Sequence, residues 1–366
     1  MIFKTQRETL LAPLTQICGV VEKKGTLPVL SNVLLKTDTE QLLLTTSDLD
    51  VEMRSECAAD VIEPGEITVP AQKFLDICKA LPDGSVLQFE FQEGKCLITS
   101  GKSKFSLSTL SAMEFPLIED MESYQQVKIA STDLKRMLKQ TVFCMAVQDV
   151  RYFLNGLLFE VSHNKLRCVS ADGHRLALSE CDYVNESDIN KQILIPRKGV
   201  LELQKMIKDI DQTITLYVGN NHVKVQVEHI AMTSKLIDGK FPDYEAVIPL
   251  NMEKQFVADK ETLRKSLLRV AILSNEQYKG VKFKITQDRL EIVGNNPDQE
   301  QAEDVISIST DIEQIETAFN VNYLLEATNA FVDDEIQFSF KEATSSCLIK
   351  HPTRTDCRLV VMPLRI

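Results

Sequence analysis

The residues most suggestive of catalysis form the run Asp-Gly-His-Arg at positions 172–175. A carboxylate near an imidazole is a pairing that general acid–base catalysis uses. The same place in an internal repeat holds Ser-Asp-Leu-Asp at 47–50 and Gly-Asn-Asn-Pro at 294–297, and these residue types are typical of turns. We therefore interpret the run as a turn after a strand and predict no enzyme activity. The remaining histidines form no constellation with Ser, Cys or carboxylates: His163, His222, His229 and His351.

Two other patterns could bind a metal ion or a phosphate. Four carboxylates lie close together and would suit a metal-dependent enzyme of nucleotide metabolism, which stays one alternative: Asp298, Glu300, Glu303 and Asp304. The sequence Gly-Lys-Ser at 101–103 matches the end of a phosphate-binding loop, but Cys96 occupies the position of the required glycine. We predict no bound metal and no cofactor.

The cysteines and the N-terminus bear on the cellular compartment. The nine cysteines are scattered and form no Cys-x-x-Cys pair, which favours buried, reduced thiols over zinc ligands or disulfides. Residues 1–13 lack the apolar core of a secretory signal, and no segment approaches the roughly 20 apolar residues of a membrane helix. We expect a cytoplasmic protein with no membrane partner.

An extended segment that runs into a helix occurs three times along the chain. Residues 67–75 (ITVPAQKFL) recur as 193–201 (ILIPRKGVL) and, more loosely, as 317–325 (TAFNVNYLL). The central Pro or Asn residues of these segments stand 126 and 124 positions apart. This spacing favours three copies of one domain over three unrelated α+β domains.

A second helix pattern supports the same repeat. Leu10, Leu134 and Leu263 hold equivalent places in it and are separated by 124 and 129 residues. Other segments alternate apolar and polar residues, as half-buried antiparallel strands do. Each third of the chain is therefore predicted to run twice through a strand, a helix and several strands. We predict an α+β protein with six helices, six small sheets and three domains: residues 1–122, 123–250 and 251–366.

Charge is segregated between the predicted helices and the rest of the chain. The net charge of −12 argues against a protein that coats nucleic acid with its whole surface, because phosphate contacts need Lys and Arg. The helices are nevertheless basic, with +8 in total, which leaves −20 elsewhere. The windows counted are residues 6–18, 72–81, 132–143, 197–208, 260–271 and 320–331. Ordinary helix faces would have mixed signs, whereas helices lining one surface could face phosphate while the acidic remainder repels it.

Several long segments resemble one known family, the β sliding clamps of bacterial DNA polymerase III. The similarity extends from end to end of the chain and is carried by these segments: 26–30 (TLPVL), 148–156 (QDVRYFLNG), 172–177 (DGHRLA), 195–200 (IPRKGV), 233–236 (TSKL), 241–244 (FPDY), 271–276 (AILSNE) and 360–366 (VVMPLRI). The resemblance implies the DNA clamp fold, in which each of three repeated domains contains two βαβββ units. It also implies a head-to-tail dimer that forms a ring, with inner helices and outer sheets.

The resemblance implies a processivity factor, a non-catalytic subunit of the DNA polymerase III holoenzyme. Its expected partners are double-stranded DNA, bound without sequence preference, and a clamp loader complex. Polymerase subunits and repair proteins are expected to bind through linear motifs. A structural oligomer that does not bind DNA is the second alternative. By match, the DNA-contacting residues are Lys24, Gln148, Arg151, Tyr152, Phe153, Arg197 and Lys198.

The family captures short peptide motifs in an apolar pocket. By resemblance this pocket comprises Leu154, Ala171, Gly173, His174, Arg175, Leu176, Pro242, Val247, Asn320, Tyr323, Thr344, Ser346, Val360, Val361, Met362, Pro363, Leu364 and Arg365. Met362 and Leu364 are expected to lie together beside Leu176. Ala171, Thr344 and Leu364 stand where we expect Thr, Val and Met, so we expect peptide preference to differ in detail.

The expected dimer joins the first domain of one chain to the third domain of the other. Basic residues and one Phe belong to the first-domain side: Lys73, Lys95, Lys102, Lys104 and Phe105. Acidic residues and two apolar residues belong to the third-domain side: Ile272, Leu273, Asp298, Glu300, Glu303 and Asp304. Opposite charges would set the orientation of such a joint, while the apolar residues would supply most of its affinity.

Overall fold

A computed structural model describes residues 1–22, 27–92, 94–119, 123–184, 189–208, 210–250, 252–310 and 312–365. The chain divides into two compact units. The first unit combines Met1–Thr132 with Lys198–Leu236, and the second combines Asp133–Arg197 with Ile237–Ile366. The division into three domains at 122/123 and 250/251 stays a prediction.

The described residues form six α-helices and 26 β-strands. The helices are α1 (Arg7–Ile17), α2 (Ala71–Ala80), α3 (Ser131–Thr141), α4 (Arg197–Met206), α5 (Lys260–Ala271) and α6 (Val321–Ala330). The strands are β1 (Ile2–Gln6), β2 (Asn32–Thr37), β3 (Gln41–Ser47), β4 (Val51–Ala58), β5 (Asp60–Glu63), β6 (Gly65–Pro70), β7 (Val86–Gln92), β8 (Lys95–Ser100), β9 (Ser103–Ser108), β10 (Gln125–Ala130), β11 (Gly156–Val161), β12 (Lys165–Ala171), β13 (Arg175–Asp182), β14 (Lys191–Pro196), β15 (Thr213–Val218), β16 (His222–Val227), β17 (Ile230–Lys235), β18 (Lys254–Asp259), β19 (Gly280–Thr286), β20 (Arg289–Asn295), β21 (Gln301–Ser307), β22 (Ser309–Thr310), β23 (Gln314–Asn320), β24 (Glu335–Phe340), β25 (Cys347–Lys350) and β26 (Cys357–Val361).

In the described part of the chain these elements repeat six times in the order βαβββ. Each predicted domain consists of two such units, and we call the earlier one its leading half and the later one its trailing half. The leading halves are β1-α1-β2-β3-β4, β10-α3-β11-β12-β13 and β18-α5-β19-β20-β21. The trailing halves are, in the same order, β6-α2-β7-β8-β9, β14-α4-β15-β16-β17 and β23-α6-β24-β25-β26. The short strands β5 and β22 are additional. The predicted α+β class and the βαβββ repeat are confirmed.

The first unit contains two sheets. One has five strands in the order β5-β1-β7-β8-β9, and the other has eight in the order β10-β15-β16-β17-β4-β3-β2-β6. The eight-stranded sheet consists of two half-sheets joined where β17 pairs antiparallel with β4. We call this pairing, with the turns and helices beside it, the first joint.

The second unit also contains two sheets, one of nine strands and one of four. Their orders are β14-β11-β12-β13-β26-β25-β24-β18-β22 and β21-β20-β19-β23. In the nine-stranded sheet, β13 pairs antiparallel with β26. We call this pairing and its surroundings the second joint. At both joints, the last strand of a leading half pairs with the last strand of the next domain's trailing half. The described strands therefore form four sheets and not the predicted six, because each joint merges two half-sheets into one.

Helix formation follows from apolar spacing and from capping. In α2, Ala71, Phe74, Leu75 and Cys78 are buried, which is the spacing of one helix face against a core. Full burial of a side chain such as Phe74 stabilises the fold by roughly 2–3 kcal/mol. The α5 helix is capped by Asp259, whose carboxylate accepts a hydrogen bond from the Thr262 N–H at 2.8 Å.

The predicted helix windows agree with the structure to within about two residues. The largest differences, of two residues, are at α3 and α4. The α3 helix, predicted to reach residue 143, ends at Thr141 and continues as a 3-10 turn over Val142–Cys144, and α4, predicted to reach residue 208, ends at Met206. All nine cysteines lie among the described residues and are free; six are buried, and Cys18, Cys57 and Cys181 are partly buried. No helix of the described residues is long and apolar enough to cross a membrane.

Candidate functional site

An apolar cavity of about 210 Å³ lies in the second unit. The β12–β13 turn, the loop after residue 239 and the end of β26 enclose it. Nine of the predicted pocket residues line it: Leu154, Ala171, Gly173, Arg175, Leu176, Pro242, Val247, Val360 and Met362. The structure therefore brings together the larger apolar part of the predicted pocket.

Four lining residues were absent from the predicted pocket. Phe241 and Tyr244 were missed, although the segment FPDY had been noted, because a loop gives no periodic signal of burial. Arg151 and Phe153 had been assigned to DNA, yet both line the cavity. Burial raises the pKa of Tyr244 to about 12, and the nearby Glu160 carboxylate adds to that rise.

The β12–β13 turn forms one edge of the cavity. Asp172 Oδ1 accepts hydrogen bonds from the backbone N–H groups of His174 at 2.9 Å and Arg175 at 3.0 Å. Gly173 adopts φ 90°, a conformation that residues with a Cβ rarely adopt. The His174 carbonyl accepts from the Met362 N–H at 2.9 Å, which ties the chain after β26 to the turn. Asp172 thus stabilises the turn, as the sequence predicted.

Arg175 connects this turn to two helical segments. Its Nε donates to Asp172 Oδ2 at 2.9 Å and its Nη2 donates to the Phe143 carbonyl at 2.6 Å. Its Nη1 pairs with Glu326 on α6. The guanidinium lies over the Tyr323 ring, 4.3 Å from the centroid. Because most of its donors are occupied, Arg175 is fixed in one orientation beside the cavity.

A second cavity, a larger and more polar groove of about 840 Å³, begins at Met362. It includes five further predicted pocket residues: Thr344, Ser346, Pro363, Leu364 and Arg365. Leu364 lines this groove and Leu176 lines the apolar cavity, so the two residues line different cavities. The Leu364 N–H donates to the Ala318 carbonyl at 2.8 Å. A place for Leu364 beside Leu176 stays a prediction.

The other predicted pocket residues line neither cavity. Asn320 caps α6, because its side-chain oxygen accepts from the Asn322 N–H at 2.9 Å. Val361 is buried in the core of the second unit. His174 is exposed on the β12–β13 turn, and Tyr323 is held under Arg175. A role for these four in binding stays a prediction.

The predicted DNA-contacting loop is held in place by its own side chains. Arg151 binds Asp149 through two hydrogen bonds, Nε to Oδ1 at 2.9 Å and Nη2 to Oδ2 at 2.8 Å. The hydrogen bonds from Arg151 lower the pKa of Asp149 to about 2. Arg151 Nη2 also donates to the Asp172 carbonyl at 3.2 Å, so its charge is directed toward the cavity edge. Gln148 adopts φ 55° in this loop.

The aromatic pair of this loop lies in a 3-10 turn, Tyr152–Leu154, and not in a strand. Tyr152 is 57% exposed, whereas Phe153 packs against the core around the cavity. The turn leaves Tyr152 available to a ligand and makes Phe153 part of the cavity wall. Lys24, another predicted DNA contact, lies outside the described residues.

Two predicted DNA contacts at the start of α4 have partners within the chain. Arg197 Nη1 donates to the Met145 carbonyl at 3.1 Å. Lys198 Nζ donates to the Val20 carbonyl at 2.7 Å and forms an ion pair with Asp48. These partners weaken the positive potential that either residue offers to phosphate, and their contact with DNA stays a prediction.

The residues predicted for a chain-to-chain interface lie on two edge strands and beside them. Lys104 and Phe105 are on β9, with Lys95 on β8, Lys102 in the turn between them and Lys73 on α2.

On the acidic side, Glu303 and Asp304 are on β21, and Asp298 and Glu300 are in the β20–β21 turn. Asp304 already pairs with Arg269 of α5. Beyond the end of α5, Ile272 is 78% exposed and Leu273 is half-buried. The part of these residues in a chain-to-chain interface stays a prediction.

No group of three or more His, Cys, Asp or Glu side chains that could hold a metal ion occurs among the described residues. The acidic residues near β21 lie along a strand edge and its turn. Their arrangement gives no support to the metal-dependent enzyme considered from the sequence.

Three family models match successive parts of the chain, and each describes a domain of the DNA polymerase III beta subunit. The N-terminal domain model matches residues 1–119, the central domain model matches 128–243 and the C-terminal domain model matches 245–365.

Individual relatives match over the full length of both chains. The beta sliding clamp of Pseudomonas putida is 43% identical over 367 residues, and that of Escherichia coli is 39% identical over 367 residues, with 100% of each chain covered. A crystal structure of the DNA polymerase III subunit beta from Pseudomonas aeruginosa matches with a TM-score of 0.95 and 43% identity, again covering 100% of both chains.

Proposed function

The chain belongs to the family of DNA polymerase III beta subunits, and on that premise we propose that it is a sliding clamp that encircles duplex DNA and holds polymerases on it. It acts as a processivity factor and catalyses no reaction itself. We infer that it works in the cytoplasm with a clamp loader and with polymerase and repair proteins.

The observation that carries this proposal is the pattern of paired and unpaired strands. Both joints pair the last strand of a leading half with the last strand of the next trailing half. Among the described strands, β21 ends a leading half and β9 ends a trailing half, and each is a sheet edge. An exposed edge strand is a template for pairing with another chain. Repeating the joint between two copies would pair β9 of each with β21 of the other and close a ring.

The register of the first joint predicts which side chains would meet. Ala231 of β17 faces Arg54 of β4. We count each position from the residue that pairs nearest the turn of its own hairpin. Ala231 then lies one residue after that pair in β16–β17, and Arg54 lies two residues after it in β3–β4. Lys104 and Glu303 hold the same places in the β8–β9 and β20–β21 hairpins. The equivalent pairing would put Lys104 of one chain opposite Glu303 of its partner.

A charge-reversal experiment tests this interface. Lys104→Glu and Glu303→Lys should each weaken the dimer in sedimentation velocity, because like charges would face each other across an antiparallel pair. The double variant should recover much of the loss. Lys128→Glu on β10 makes the same charge change on a different edge strand and should leave dimerisation intact. Equal weakening by all three single variants would contradict the proposed pairing.

Encirclement of DNA has its own test. A closed ring should remain bound to a circular plasmid after a clamp loader has acted, and it should be lost once the plasmid is linearised with open ends. Retention on the linear plasmid would indicate direct DNA binding, while absence from both forms would favour a structural oligomer. Direct contact should be weak and should fade as salt rises, because phosphate binding releases counterions.

We also propose that the apolar cavity and the polar groove together bind the linear motifs of partner proteins. Apolar anchors in a desolvated cleft commonly carry most of the binding free energy. The cavity has an almost wholly apolar wall that suits such anchors, whereas the groove offers Ser, Thr and Arg side chains. A fluorescent peptide with a Gln-x-x-Leu-Phe motif should lose most of its affinity when residues 362–366 are deleted. Unchanged affinity in a folded dimer would contradict the site.

A further inference from the structure

A third cavity adjoins the apolar cavity through a different part of its wall from the polar groove. It has a volume of about 720 Å³ and shares Phe153, Phe241, Pro242 and Tyr244 with the apolar cavity. We call this third cavity the flank groove. The polar groove shares Met362 with the apolar cavity instead. The apolar cavity therefore adjoins both grooves, each through different residues of its wall.

The flank groove differs from its neighbour in charge. Its remaining lining residues are Leu158, Glu160, Gln192, Lys240, Asp243 and Glu245. Three carboxylates thus face one lysine within the groove. The nearby Arg167 offsets part of this charge through Glu160 at 3.0 Å and Glu245 at 3.4 Å.

Asp243 is the carboxylate with the most capacity for a ligand. Its Oδ1 accepts a long hydrogen bond from the Ala246 N–H at 3.4 Å. No ion pair to Asp243 is formed by any Lys, Arg or His in the part of the chain that the structure describes. Glu245 is also accessible, since its side chain is 68% exposed. A cation could therefore bind Asp243 without displacing an ion pair, and it would share Glu245 with Arg167.

The order of the cavities sets the direction of a bound motif. In a Gln-x-x-Leu-Phe segment, the apolar end suits the apolar cavity and the glutamine suits the polar groove. A chain that continues from the apolar cavity past Phe241, Pro242 and Tyr244 reaches the flank groove, because these residues line both cavities. One to three residues span at most about 3.5 to 10 Å, which sets the reach of a side chain placed just after the motif.

We propose that the flank groove binds a lysine or arginine placed one to three residues after the apolar end of a partner's motif. This inference rests on the proposed peptide site and adds a specificity that depends on charge. The groove favours partners with a basic C-terminal flank and disfavours those with an acidic one. Because both carboxylates are exposed, the effect is a modest one that salt weakens.

Fluorescence anisotropy with a matched set of motif peptides tests the proposal on the full-length dimer. The peptides carry Lys-Lys, Gly-Gly or Glu-Glu after the motif, and a control carries Lys-Lys before it. At low salt the peptide with a C-terminal Lys-Lys flank should bind about 3-fold to 10-fold more tightly than the one with Glu-Glu. The N-terminal Lys-Lys should give no comparable gain.

Two variants locate the effect on the protein. Asp243→Asn with Glu245→Gln should reduce the Lys-to-Glu affinity ratio to less than about 2-fold. Asp60→Asn with Glu63→Gln removes the same charge from β5 and should leave the ratio unchanged. Thermal melts check that both variants remain folded.

Two results would overturn the inference while leaving the peptide site intact. One is equal affinity for all flanks, and the other is a gain from lysine at either end, which would indicate general attraction to an acidic protein. If no motif peptide binds the wild-type dimer, the proposed peptide site itself fails and this inference fails with it.

Discussion

The first and second joints are built from the same elements and differ in a few side chains. At the first joint the Lys235 N–H donates to the Asp50 carbonyl at 2.8 Å, and at the second the Met362 N–H donates to the His174 carbonyl at 2.9 Å. These equivalent hydrogen bonds show that the β3–β4 turn of the first joint corresponds to the β12–β13 turn of the second. Among the described residues, the apolar cavity is found at the second joint.

In each hairpin, one side chain on the second strand, at the pair nearest the turn, accounts for much of this difference. Glu52 pairs with Ser47 across the β3–β4 hairpin, and Leu176 holds the same place opposite Ala171. Glu52 is 1% exposed, accepts from the Ile118 N–H at 2.8 Å and pairs with Arg54 at 2.6 Å. It binds the covering segment tightly to the sheet. Leu176 has no polar group with which to do so, and a space remains beside it.

The turns themselves show a second difference. Asp48 accepts a hydrogen bond from the Val51 N–H at 2.7 Å, as Asp172 does from the Arg175 N–H. The cation that pairs with Asp48 is Lys198 on α4. At the second joint the cation is Arg175, which also binds Glu326 on α6. The repeated backbone thus provides the same frame twice, and side chains decide the character of the cavity beside it. The cavity at the first joint, of about 390 Å³, is lined mostly by polar and charged side chains, among them Arg54, Tyr124 and Lys224.

Copying the polar side chain of the first joint into the second should have the largest effect. Leu176→Glu places a carboxylate in an apolar cavity whose two arginines, Arg151 and Arg175, are already paired with aspartates. Burial of a charge without a free partner is strongly unfavourable. We expect motif-peptide affinity to fall by about 100-fold or more, measured by anisotropy. Leu176→Met keeps the apolar character and should change affinity by less than about 10-fold. Similar losses in both variants would show that shape, and not polarity, distinguishes the joints.

Removing the polar side chain from the first joint should affect stability instead. Glu52→Ala leaves the Ile118 N–H and the Arg54 guanidinium without their acceptor. The free energy of unfolding should fall by about 2 kcal/mol in urea denaturation, because unsatisfied buried donors are costly. Glu52→Gln should restore part of the loss. Peptide affinity should stay unchanged, and a parallel loss of affinity would mean that the two joints do not act independently.

Adding a methyl group at residue 173 tests whether the β12–β13 turn of the second joint needs a glycine in its left-handed conformation. Gly173→Ala puts a Cβ at φ 90° and 2.7 Å from the Arg151 guanidinium. The backbone strain should cost about 1–2 kcal/mol of unfolding free energy. Displacement of Arg151 from the cavity wall should also lower peptide affinity several-fold. A stable variant with normal affinity would show that the turn relaxes without cost.

The equivalent exchange at the first joint should have the smallest effect and the opposite sign. Leu49 adopts φ 79° and is 38% exposed, so it has the strain that Gly173 avoids. Leu49→Gly should raise the free energy of unfolding by about 0.5 kcal/mol, since glycine adopts this conformation readily. The same urea titrations measure it. A clear loss of stability would mean that the Leu49 side chain contributes more by packing than its backbone costs.

The sequence alone determined the repeated elements of this protein, because helices and strands follow from spacing within about ten residues. The repeats before Pro70 and Pro196 predicted where α2 and α4 begin, and the spacing held in the structure. The turn role of Asp172 also followed, since its hydrogen bonds reach residues only two and three positions away. Local patterns carry enough information for such contacts.

Only the tertiary structure decided which side chains line the cavity and which cations are already paired. Lys198 meets Asp48 across 150 positions of sequence, and Arg175 meets Glu326 across 151. No periodicity predicts such contacts, because they depend on how distant strands pair at each joint. For the same reason the sequence did not predict that Arg151 lines the cavity, and its contact with DNA stays a prediction. Residue type and spacing specify the frame, whereas the charge and shape of a site depend on long-range pairing.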